Sequence, residues 1–170
     1  MAETGFDTEF IPFRFRVALH DGQSGALLCG GAFSEVSGLE LSMTPRTLKE
    51  GGRNWGEVQL AGPTTFTPVV LKRGITAVGD LWQWFDVVAR QANYALRLNG
   101  VIEVWHPAQK PTDRPLLRWH LSNALPVKFK GPDLSATASQ VAIEELHLVH
   151  EGLTLVQSPV QPPVTTGARP

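Results

Sequence analysis

The chain has 170 residues, enough for one domain with its own core and too few for two comfortable ones. Hydrophobic residues make up 42% and charged residues 18%, which excludes global disorder, and a net charge of −1 with scattered Lys and Arg gives no field for gathering nucleic acid. No apolar run approaches the roughly 20 residues needed to cross a bilayer, and the start MAETGFDTEF lacks the basic and apolar regions of a secretory signal.

Residues 1–12 are polar and are expected to form an N-terminal arm, either flexible or a contact segment. In FRFRVAL, Phe13, Phe15, Val17 and Leu19 fall on one face and Arg14 and Arg16 on the other, the pattern of a half-buried strand. Asp21 to Gly25 is turn material. The single cysteine, Cys29, lies in the apolar run ALLCGG and has no partner for an internal disulfide. It is expected to be a buried free thiol in a chain that folds in a reducing cytoplasm. Ala32 to Leu41 alternates again, with Gly38 marking a bulge or a close backbone approach.

Ser42 to Thr64 holds Pro45, Gly51, Gly52, Gly56, Gly62 and Pro63, yet also Trp55, Val58 and Leu60. Loops this long are uncommon inside a compact domain, and these apolar residues predict a loop or hairpin that orders against a partner. Phe66 to Leu71 is a further strand, which Pro68 places at an edge. A helix follows over about Gly79 to Ala92, with Leu81, Trp84, Phe85 and Val88 in one packing stripe, Asp80 as N-cap and Trp82 off the stripe. Among so many strands, one amphipathic helix must cover an open end or a face of a curved sheet.

Tyr94 to Trp105 and Leu116 to Leu121 read as strands joined by a loop, Pro107 to Arg114. The stretch from Asn123 to Gly152 then combines a short apolar strand, a Gly-Pro-Asp turn, a run of small polar residues and an alternating strand, Val141 to Leu148. From Gln157 to Pro170 the chain is a Pro-rich tail.

Chemistry is hard to assemble from these residues. His147 and His150 are three apart on a strand and point to opposite faces, as do the neighbours Glu144 and Glu145. Neither pair can share a metal ion or form a general acid and base. GGRNWG and LCGGAF match no phosphate-binding pattern, and Cys29 has no histidine partner. No catalytic, cofactor-binding or metal site is expected. The run LWQWF belongs to a helix stripe, so it is not a nucleic-acid platform.

In order along the chain stand FRFRVAL, FSEVSGLEL, LKEGGRNW, VVLKRGIT, LWQWF and ALPVKFKGPDLSATASQVAIEELHLVHEGL. Over about Phe13 to Leu155 the sequence resembles the contractile tail tube family of T4-type phages, in the branch found in phage-tail-like and extracellular contractile injection systems. The resemblance implies a mainly β fold: two packed antiparallel sheets curving into a barrel-like unit over residues 13–156, flanked by one helix. It further implies hexameric rings whose inner strands line a payload channel and which stack inside a sheath. Lys49, Glu50, Gly51, Gly52, Arg53, Asn54 and Trp55 would then reach the next ring. Asp133, Leu134, Ser135, Thr137 and Ser139 would form the other side of that junction and the neighbour contacts.

The implied partners are further copies of the chain, a paralogous tube protein, and sheath and baseplate or spike proteins, with no membrane segment and no specific nucleic acid. Assembly would take place in the bacterial cytoplasm, in a particle that is released or membrane-anchored. The loop Pro107 to Arg114 and the Pro-rich tail depart from the shortest tube subunits and would suit a tube-initiator layer on the baseplate. A competing reading is a monomeric β-sandwich that binds a carbohydrate or another ligand on Trp55, Trp105 and Trp119. A small hydrolase lacks its nucleophile and its acid and base.

Overall fold

A computed structural model describes residues 14–52, 55–105, 114–134 and 142–157. The alternating FRFRVAL becomes β1 (Arg14–Asp21), which pairs with β2 (Leu27–Ala32) on one side and β9 (Leu98–Trp105) on the other. β9 pairs with the first half of β10 (Leu117–Lys130), whose other side takes β12 (Gly152–Gln157). These strands make sheet A, in the order β2-β1-β9-β10-β12. The second half of β10 pairs with β11 (Ile143–Val149), β11 with β8 (Val69–Gly74), and β8 with β3 (Glu35–Ser37), giving sheet B. All of these pairings are antiparallel, and among the described residues the path through the strands stays open at both ends.

β10 belongs to both sheets because it bends at Asn123. This residue has φ of 52°, a left-handed conformation that Asn tolerates better than most side chains, and the β9 register slips between Leu121 and Ala124. The bend is pinned from several sides. The Asn123 amide donates to Asn99 Oδ1 at 3.1 Å, its side-chain amide donates to Glu151 Oε2 at 2.9 Å, and the Glu151 amide donates to Ser122 O at 2.9 Å.

Both sheets feed one core. Val17 and Leu19 of β1, Ile102 of β9, Leu121 of β10 and Leu153 of β12 meet Val69 and Leu71 of β8 and Leu146 and Leu148 of β11. Helix α1 (Asp80–Ala89) closes this core with Leu81, Trp84 and Val88, all buried, while Phe85 packs on it half-buried. Trp82 is half-exposed and lies edge-on to Phe129 at 5.2 Å. The N-cap is Gly79, without a side-chain cap. Asp80 is therefore the first helical residue, and its carboxylate is taken up by Arg73 and by the Gly30 and Leu81 amides.

The stretch Ser42 to Thr64 is a hairpin arm. β4 (Leu41–Met43) pairs with β7 (Thr64–Phe66), and β5 (Arg46–Leu48) with β6 (Val58–Leu60). Pro68 lies outside the strands, and β8 after it is flanked by β3 and β11, so it is not the edge strand that the proline suggested. At the root of the arm Gly38 has φ of 82°, and a Cβ there would stand 2.1 Å from the Pro68 carbonyl oxygen. Only glycine fits both the conformation and the contact.

Candidate assembly interface

The arm buries almost nothing within its own subunit. Leu41, Met43, Leu48 and Leu60 are exposed, and Trp55 at the tip keeps 94% of its surface. Lys49, Glu50, Gly51 and Gly52 occupy the same tip, where Lys49 Nζ lies 3.5 Å from Glu57. Arg53 and Asn54 lie outside the described residues. An isolated two-stranded hairpin is marginal in water, and apolar side chains displayed along one mark a surface that another body covers.

The arm leaves sheet B at the end where Ser37 and Val69 stand. At the opposite end, where β8 finishes and β11 begins, Ile75, Val78, Ile143 and Leu134 are exposed, Leu134 at 82%. Asp133 and Leu134 follow β10 at this second end, and Ser135, Thr137 and Ser139 lie outside the described residues. So do residues 1–12, Pro107 to Asp113 of the predicted loop, and the tail from Ser158.

The outer face of sheet B is polar. Its register places Glu35, Lys72, Glu145 and Lys130 side by side across β3, β8, β11 and β10. Lys72 Nζ donates to Glu35 Oε1 at 2.9 Å, and Glu145 is hydrogen-bonded to His147 one step along its own strand. That bond holds the Glu145 carboxyl below its ordinary value, with burial opposing it and the His147, Lys72 and Lys128 charges adding to it. Glu35 likewise raises the Lys72 ammonium above its ordinary value.

On the core side of the same strands sits a cluster that the sequence reading missed. Arg73 is 3% exposed and bonds both Asp80 of α1 and Glu144 of β11, while its guanidinium lies 5.6 Å from the Phe33 ring centroid. The cluster ties β8, β11 and the helix start together. Its charges are satisfied by one another, which is how buried ions are tolerated.

A groove of about 1020 Å³ along β1 and β2 is lined by Arg14, Arg16, His20, Cys29, Asp80 and Trp105, among others. Its cysteine is not poised for attack: Cys29 is buried, and burial followed by the Asp80 charge pushes its thiol up to about 12. Among the described residues, no group of three or more His, Cys, Asp and Glu could hold a metal ion. His147 lies on the polar face and His150 is buried, its ring tilted against that of Phe66 with centroids 5.2 Å apart. The three tryptophans of the ligand-platform reading are not assembled either. Trp55 is at the arm tip, Trp105 lies under Arg16 on the outer side of sheet A, and Trp119 packs on the core.

The sequence profile of the T4-like virus tail tube protein gp19 family matches residues 11–154. The chain belongs to that family. No curated protein matches this tail tube protein. Among solved structures it is similar to a chain of the anti-feeding prophage baseplate, a six-fold symmetrised cryo-EM structure, with 29% identity, TM-score 0.73, and 88% of this chain and 97% of that chain covered. It shares the fold of a chain of the sheath-tube complex of an extracellular contractile injection system in its extended state, with 23% identity, TM-score 0.71, and coverage of 90% and 95%. The same fold extends to Hcp1 from Flavobacterium johnsoniae, with 13% identity, TM-score 0.52, and coverage of 85% and 96%. The expected mainly β architecture with antiparallel sheets and a flanking helix is therefore that of a contractile-system tail tube protein. Among the described residues, no helix is long and apolar enough to cross a membrane.

Proposed function

We propose that this tail tube protein is a non-enzymatic structural subunit that forms stacked hexameric rings around a payload channel. It would serve as the repeating tube layer or as the initiating layer on the baseplate. The observation that carries this reading is the two-ended shape of sheet B. An arm with exposed Leu41, Met43, Leu48 and Trp55 leaves one end, and exposed Ile75, Val78, Leu134 and Ile143 stand at the other. Unlike surfaces at opposite ends favour head-to-tail stacking, in which each ring's arms cover the apolar end of the next.

In that stack Lys49, Glu50, Gly51, Gly52, Arg53, Asn54 and Trp55 make the inter-ring contact. Asp133, Leu134, Ser135, Thr137 and Ser139 receive it and touch neighbouring copies. The polar outer face of sheet B lines the channel, since a wall open to water requires hydrophilic side chains. Further partners are a paralogous tube protein, the sheath and the baseplate or spike, with assembly in the bacterial cytoplasm. The 29% identity to a baseplate chain, against 23% to a sheath-tube chain, supports the baseplate-proximal layer.

Negative-stain electron microscopy of the purified protein, alone and with its sheath and baseplate proteins, tests this reading. Long tubes from the protein alone assign it to the repeating layer. Single rings that form only on a baseplate assign it to the initiator. A persistent monomer in every mixture refutes both.

A further inference from the structure

The groove along β1 and β2 is basic on one side and apolar on the other. Arg14, Arg16 and His20 stand on the outer face of β1, while Leu27 and Leu28 of β2 are exposed and Phe33 follows that strand. The acids nearest to it are already engaged. Asp80 is held by Arg73, and Glu103, across the strand from Arg16, is held by Arg118 at 2.5 Å. Arg16 itself lies over the Trp105 ring, 5.9 Å from its centroid. Among the described residues β2 also ends the path of sheet A, so its outer backbone edge has no ladder partner there.

We propose that the groove is filled by the chain's own N-terminal segment, residues 1–13, folded back along β1. Asp7 and Glu9 then meet Arg14, Arg16 and His20, and Phe6 and Phe10 cover Leu27, Leu28 and Phe33. The segment joins β1 at Arg14, which itself lines the groove. Its stretch from Glu3 to Pro12 spans about 33 Å when extended. The six steps from Arg14 to His20 take only about 20 Å, which leaves residues for a turn. Charge is complementary, because Glu3, Asp7 and Glu9 are the only charged side chains of the segment. In an extended chain neighbouring side chains alternate, so these acids share one side and Phe6 and Phe10 the other, matching two unlike walls. The tail is the other candidate, since the strand registers bring Gln157 to the same end of sheet A as Arg14. From Ser158 to Pro170, however, it carries Arg169 and no acidic side chain. The charges therefore select the N-terminal segment. Docked there, it shields the β2 edge and its leucines from nonspecific pairing in a free subunit.

The test uses the full chain with Arg16→Lys, which keeps the charge and supplies an amine. Treated with a water-soluble carbodiimide, it should form an amide between position 16 and Asp7 or Glu9, identified by peptide mass spectrometry. Refolding a one-to-one mixture of 15N-labelled and unlabelled chains before the reaction tells whose segment is linked. Linked peptides of uniform label show the chain's own segment in its own groove. Hydrogen exchange of the chain without the Arg16 substitution gives an independent readout. Amides from Thr4 to Ile11 should exchange at least about tenfold more slowly than in the double variant Asp7→Lys with Glu9→Lys, with β9 equally protected in both. Linked peptides of mixed label would give the groove to a second copy and overturn the proposal. Linkage of position 16 to Glu103 alone, or exchange of Thr4 to Ile11 as fast as in the double variant, would overturn the docking itself.

Discussion

Arg73 and Glu144 are cross-strand partners on β8 and β11, and the Arg73 Nε–H donates to the Glu144 carboxylate inside the core. The same guanidinium reaches Asp80 at the start of α1, so one side chain holds the helix against sheet B. Removing one partner of a buried pair leaves the other charge unmatched, at a cost of about 3–5 kcal/mol. Arg73→Met should therefore lower unfolding stability by roughly that amount, measured by urea denaturation with an unchanged m-value. A loss below about 1 kcal/mol, in the range of exposed ion pairs, would show that the cluster is not closed to water.

Gly38→Ala combines an unfavourable positive φ with a Cβ 2.1 Å from the Pro68 carbonyl. Backbone strain alone costs on the order of 1–3 kcal/mol, and the β7–β8 connection would have to move as well. The expected result is a melting temperature several degrees lower and looser arm roots, seen as faster proteolysis between Ser37 and Phe66. Unchanged melting and protection would mean that the two segments are not held together at this point.

Arm-tip changes should separate folding from assembly. Trp55 is 94% exposed and contributes nothing measurable to the core. Trp55→Ala, or charge reversal at Glu50 and Arg53, should leave thermal stability within about 0.5 kcal/mol of the wild type. The same variants should shorten or abolish tubes seen by electron microscopy. Tubes of normal length would remove the arm tip from the ring junction.

Cys29 provides a pH-dependent readout. Burial, then the Asp80 charge, raises its thiol to about 12, with Arg73 opposing, so the reactive thiolate is scarce at pH 8 and grows only as the pH nears that value. Alkylation of the folded protein at pH 8 should be at least about tenfold slower than in denaturant, since an ordinary thiol titrates near 8.5. Equal rates would place the thiol in solvent.

Alternation made several strands legible. β1 follows from FRFRVAL, and the helix from Leu81, Trp84, Phe85 and Val88. The same rule also contained the Arg73 cluster, because Val69, Leu71 and Arg73 share one face of β8 while Glu144, Leu146 and Leu148 share one face of β11. What hid it was the expectation that charges face water, which a buried, mutually bonded set overrides.

Breaks in the pattern concealed other elements. Asn123 and Pro126 divide β10 in sequence, yet the strand runs from Leu117 to Lys130 through a bend that needs Asn123 at positive φ. His150 and Glu151 interrupt alternation and masked β12, although LTLVQ follows. In the arm, each ladder is three residues long, too short to stand out among the prolines and glycines. The row from Glu35 to Lys130 was not legible at all, because its members meet only through strand register.

Native mass spectrometry of the full chain with its sheath and baseplate proteins tests the hexameric ring most directly. The account predicts a species of six copies that persists on dilution more firmly than any smaller oligomer. A single-copy mass at every concentration and in every mixture would contradict it.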